Sequence, residues 1–66
     1  MLPLAPIGKL IKSAGTNRVS DLAKRALRKE LEQHAKNISE RAIKFAKYMG
    51  RSTVQESDIK KAIKNE

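Results

Sequence analysis

Ile7, Leu10, Ile11 and Ala14 recur three and four residues apart, with Lys9 and Lys12 on other faces, until Gly15 ends the run. That spacing lines apolar side chains along one helical face. Pro3 and Pro6 keep the first residues extended, and Pro6 suits the first position of a helix, where its missing N–H costs nothing. The pattern predicts a first helix of about nine residues. Thr16 to Val19 form a brief link, with Val19 its only apolar member. Ser20 is a good N-cap, and Asp21 after it complements the helix dipole. No Gly or Pro then occurs until Gly50. The composition between them predicts a helix of about thirty residues, roughly 45 Å long. Gly50 caps it, Arg51 to Val54 form a second link, and Gln55 through Asn65 read as a short third helix with Ile59, Ala62 and Ile63 on one face.

The long helix carries the strongest demand. Ala23, Leu27, Leu31, His34, Ile38, Phe45 and Met49 share one stripe along its length. On the opposite side apolar residues occur only near the ends, at Leu22 and Ile43, with Lys29, Glu32, Lys36 and Glu40 between them. Glu32 and Lys36 stand in the favourable i, i+4 order. The two short helices are expected to cover the ends of that side. They cannot also cover the continuous stripe, so a second copy of the long helix is expected to cross the first. The pattern predicts a dimer.

Length and charge sharpen this. A chain of 66 residues buries too little apolar surface to stand easily without a staple or a second chain. There is no Cys, and His34 is the only imidazole, so neither a disulfide nor a metal site is expected, and no cofactor is implied. Fifteen Lys and Arg against seven Asp and Glu leave a net charge of +8, and the pI is near 10.2. Such a field draws polyanions. With only Phe45 and Tyr48 as aromatics, stacking platforms for single-stranded bases are lacking, which favours duplex over single strand. No run is long enough to cross a membrane. The N-terminus has no basic segment ahead of its apolar residues, so it does not read as a signal peptide. An intracellular protein is expected.

The ordered series LPLAPIGKLIKSAG, then RVS, then the long helix, then MGRSTVQESDIKKAI resembles the archaeal histones. The resemblance covers nearly the whole chain and implies one all-α histone-fold domain over residues 1–66. Its elements are a short, a long and a short helix with two short strand-like links, paired head-to-tail as a handshake dimer. It implies sequence-tolerant binding to double-stranded DNA, with bending, wrapping and compaction of the chromosome by a dimer or larger assembly. A cytoplasmic, chromosome-associated location follows.

The resemblance also assigns residues. Arg18 matches an arginine that enters the inward-facing minor groove. Lys9 and Lys12, with the backbone N–H groups around Ile7 and Gly8, match phosphate contacts at the first helix. Ser20 belongs to the same DNA-facing segment, and Arg51, Ser52 and Thr53 to the second link. Asp58 matches an acid that clamps Arg51 and shapes that link. Leu27, Leu31, His34, Ile38 and Phe45 fall in the dimer core. Tyr48, Asp58 and Ala62 fall where one dimer meets another, as in a tetramer or larger assembly on DNA. For each basic residue the plainer alternative is a solvated surface charge, and this holds also for Lys60, Lys61 and Lys64 of the third helix.

Several positions depart from the family pattern. Ser52 replaces a lysine, removing one phosphate contact per chain. Tyr48 replaces a histidine at the dimer–dimer contact, although its hydroxyl still has the chemistry to donate to Asp58. Asn17 and Ser13 replace residues that are often acidic and join stacked turns of a wrapped filament. His34 lies at the midpoint of the stripe, where two copies meet if the long helices cross at their centres. It reads either as a neutral packed histidine or as a group whose charging strains the dimer at mildly acid pH.

Other functions compete with packaging. One is a histone-fold heterodimer subunit, paired with a paralogue in a transcription factor, or a DNA-bridging protein that does not wrap. A membrane-active amphipathic peptide fits less well, because Glu30, Glu32 and Glu40 interrupt the basic face. Enzyme activity is not expected, since a lone His without Cys supplies no nucleophile–base pair.

Overall fold

The computed structural model describes residues 1–65. It contains three helices, α1 (Leu4–Ser13), α2 (Asp21–Tyr48) and α3 (Glu56–Lys64), and no strand among the described residues. The all-α order follows the sequence reading, with α1 starting earlier than expected. Pro3, with extended backbone, is the N-cap, so Pro6 is the third helical residue rather than the first. It is tolerated there because that N–H also lacks an intrahelical acceptor.

Ser20 caps α2 as its residue type suggests, its Oγ accepting from the Ala23 N–H at 3.1 Å. The 28 residues of α2 span about 42 Å at 1.5 Å per residue. Its C-terminus closes in a pair of bonds, Arg51 N–H to Ala46 C=O at 2.9 Å and Gly50 N–H to Lys47 C=O at 2.9 Å. This arrangement requires a left-handed residue, and Gly50 supplies it with φ +74°.

The chain forms two compact units, Met1–Gln33 and the residues from His34 onward. In the first, Ile7 and Gly8 of α1 are buried. A Cβ on Gly8 would meet Lys24 Cε at 3.1 Å, so glycine lets α1 come close to the lysine stem. Arg28 Nη1 donates to the Leu2 carbonyl at 3.3 Å, and Glu32 lies 3.9 Å from both Arg28 Nε and the N-terminal ammonium. Leu22 was expected beneath the first helix but is 79% exposed. The surface under α1 is made instead by Lys24 and Arg28, whose long stems cover apolar area while their charged heads reach outward.

In the second unit Ala42, Ala46 and Ala62 are closed off from solvent. Small side chains permit close approach of helices, which is why alanines occupy this contact rather than Ile43, expected there and 41% exposed. Ile63 on α3 is also half exposed.

The long stripe is not closed by the chain itself. Leu27, Leu31, Ile38 and Phe45 are only partly covered, while Ala23, His34 and Met49 are exposed. The two links are irregular, since a β ladder needs a second strand to pair with.

Candidate nucleic-acid interface

The first link is shaped by its own sequence. Gly15 takes φ +125°, a conformation that side chains disfavour. Thr16 Oγ1 accepts the Arg18 N–H at 3.2 Å, a local turn typical of Thr. Ser20 begins α2 three residues before the amide it caps. These devices hold Lys12, Asn17, Arg18, Val19 and Ser20 around one shallow concavity. Three residues named from sequence, Lys12, Arg18 and Ser20, therefore meet at one place. Arg18 is exposed, and its guanidinium has no ion-pair partner among the described residues. Lys9 is exposed on α1 and does not line this concavity.

One expectation at the first helix is corrected. Ile7 and Gly8 lie inside α1 and are buried, so their N–H groups belong to the helix ladder and are not offered to phosphate. Of the four amide positions at a helix start that lack intrahelical acceptors, Pro3 and Pro6 have no N–H at all. Leu4 and Ala5 alone supply free donors.

The second link is locked by an ion pair. Arg51 Nη1 donates to Asp58 Oδ2 at 2.8 Å and Nη2 to Oδ1 at 2.9 Å. Nη1 also donates to the Thr53 carbonyl at 3.0 Å, and the Gln55 N–H donates to Asp58 Oδ2 at 2.8 Å. Asp58 is 1% exposed, and its two oxygens accept three hydrogen bonds, the means by which a buried carboxylate stays charged. Those bonds from Arg51, then from Gln55, with the positive charges of Arg51 and Lys61, lower its pKa from 3.8 to about 2 against the opposing effect of burial. Reciprocally, the hydrogen bond to Asp58 raises the Arg51 pKa.

This geometry shifts the expected roles. Three Arg51 hydrogen bonds are spent inside the link, and its charge is balanced by Asp58, so it serves as a brace more than as a free phosphate ligand. Ser52 and Thr53 remain exposed, although the Thr53 carbonyl is occupied by Arg51.

Of the residues named for a dimer–dimer contact, Tyr48 is 89% exposed, whereas Ala62 and Asp58 are buried within the single chain. Tyr48 lines a shallow apolar groove with Lys44, Phe45, Met49 and Lys61.

Sequence reasoning overlooked Arg41. From α2 it reaches Ala62 and Asn65, and the only hint was a third helix short enough to need an outside donor. No cluster of metal-ligating side chains occurs among the described residues, and no helix there is long and apolar enough to cross a membrane.

The family model described as histone-like transcription factor (CBF/NF-Y) and archaeal histone matches residues 1–63. The chain belongs to this histone family. It is 44% identical over 63 residues to one subunit of the archaeal histone HAN1 of Thermococcus zilligii, covering 96% of this chain and 94% of that one. It is 36% identical to probable archaeal histone 3 of Methanocaldococcus jannaschii, again over 63 residues and with the same coverage. Membership makes this histone a DNA-binding protein that compacts chromosomal DNA, and a structural protein rather than a catalyst by family. Both relatives are archaeal histones, which favours packaging over the transcription-factor and bridging alternatives.

Proposed function

We infer that this histone works as a handshake homodimer that holds the duplex by its phosphate backbone through preshaped links. The observation that carries the reading is the first link, where Lys12, Arg18 and Ser20 gather around one concavity. A link shaped before DNA arrives spends little ordering entropy on binding. Arg18 supplies the charge for a narrowed minor groove, Lys12 and Lys9 approach phosphates, and Ser52 and Thr53 face the backbone from the second link. Arg51 and Asp58 keep that second link in shape.

The half-covered stripe supports the dimer. Leu27, Leu31, Ile38 and Phe45 stay partly in water in the lone chain, and a crossing partner helix removes that cost. His34 then lies near the crossing. The Thermococcus relative is named as a subunit, and pairing with a paralogue is the second reading of the same stripe.

Nuclease digestion of the protein on long duplex DNA tests the function, with sedimentation giving the assembly of the free protein. Homodimers with protected fragments support the proposal. A lone chain that protects nothing overturns it. A ladder of regular steps indicates a growing filament, and a single short fragment indicates isolated dimers or tetramers.

A further inference from the structure

The last carbonyls of any α-helix lack intrahelical donors, and its C-terminus carries partial negative charge. In this chain α3 is nine residues long and ends close to the part of α2 beside it. Arg41 of α2 turns its guanidinium to that end. Nη1 donates to the Asn65 carbonyl at 3.2 Å and more weakly to the Ala62 carbonyl at 3.4 Å. Asn65 completes the cap, its side-chain Nδ2 donating to the Lys61 carbonyl at 2.8 Å. A fixed cation thus sits on the negative end of α3.

The other end of α3 holds the clamp. Asp58 occupies its first turn and grips Arg51 across two hydrogen bonds. Between the ends, Ala62 is fully enclosed, so α3 has little freedom to slide without opening a closed contact. A helix this short has few hydrogen bonds of its own, and tertiary anchors decide where it sits. Losing one anchor is therefore expected to disturb the other.

We propose that Arg41 is a positioning residue for DNA binding: by tying the C-terminus of α3 to α2 it holds Asp58 against Arg51 and keeps the second link in its DNA-facing shape. Arg41 need not touch DNA to do this. The proposal rests on the reading that the second link faces the duplex, and two separate measurements keep the two ideas apart.

The first is hydrogen exchange of the Arg51 guanidinium protons, followed by nitrogen-15 NMR on the full chain at neutral pH without DNA. The second is DNA affinity at fixed salt. Both are made on wild type, Arg41→Leu, Arg41→Gln and Arg41→Lys, at temperatures where melting curves show each protein folded. Arg41→Leu is expected to speed Arg51 exchange several-fold while the Ala23 amide, capped by Ser20, keeps its protection, and to weaken DNA binding. Arg41→Lys, which retains a cation at the cap, is expected to recover most of both. Arg41→Gln serves if the leucine variant does not fold, and its expected effect is smaller because the amide still donates.

Arg51 exchange equal to wild type in folded Arg41→Leu, or in Arg41→Gln where the leucine variant does not fold, overturns the proposal. So does loosening spread equally to the Ala23 amide, since that is general destabilisation. Faster Arg51 exchange with unchanged DNA affinity leaves Arg41 as the brace of the clamp but refutes the DNA-facing role of the second link, and with it the function proposed for Arg41.

Discussion

Replacing Asp58 with Asn keeps the shape of the side chain and removes its charge. The amide retains one acceptor oxygen for three converging donors, two from Arg51 and one from Gln55, and places its own N–H2 among them. At neutral pH the variant should melt at a lower temperature than wild type. The size of the charge-linked part can be worked out in protons. Asp58 titrates at about 2 in the fold against an ordinary 3.8. At a pH of about 2.9 the unfolded chain therefore holds roughly 0.9 proton at this carboxyl and the folded chain roughly 0.1, an uptake of roughly 0.8 proton per chain on unfolding. Because the folded value is depressed, the stabilisation is complete above the ordinary value. It is lost as pH falls through the folded value. The gap between wild type and Asp58→Asn should be constant from neutral pH down to the ordinary carboxylate value, then shrink steadily toward the folded one. Melting curves by circular dichroism at fixed protein concentration and ionic strength, stepped across that range, give the gap directly. The other carboxylates titrate in both proteins and cancel. A gap that stays constant through the whole range would refute the argument that Asp58 is held ionised by the clamp.

Three further outcomes follow from the same geometry. Ser20→Ala removes the acceptor for the Ala23 amide and should cost about 1 kcal/mol, or about 4–8 °C in Tm for a chain of this size, measurable without DNA. Ala62→Leu inserts three carbons into a closed contact and should destabilise by about 1–3 kcal/mol, read from denaturant melts at fixed concentration, whereas a neutral result would show that α3 moves freely. Arg18→Ala should leave Tm nearly unchanged and weaken DNA binding. It should also make the plot of log affinity against log salt shallower by about 0.9 for each phosphate no longer neutralised.

Much of this was legible along the chain. Three helices, the Ser20 cap and the Gly15 and Gly50 stops follow from local rules: side-chain period, capping chemistry and backbone freedom act within a few residues. Lys12, Arg18 and Ser20 were named from the family resemblance, and the turn and cap of the first link bring them around one concavity. The Arg51–Asp58 pairing needed the family resemblance, since the residues stand seven apart across a link whose path no periodicity describes.

The fold alone decided which groups remain available once the pieces pack. Ala62 and Asp58, named for a contact between dimers, are buried within the single chain, because burial depends on how closely α3 approaches α2. The Ile7 and Gly8 amides were lost to the helix ladder because Pro3 moved the start of α1 upstream. Leu22 stayed in water while the stems of Lys24 and Arg28 took the place beneath α1, since long basic side chains cover apolar surface in a way that hydropathy does not register. Arg41 shows the same limit from the other side. Its value lies in two carbonyls more than twenty residues away, and only tertiary packing brings a guanidinium to the end of a helix that lacks donors of its own.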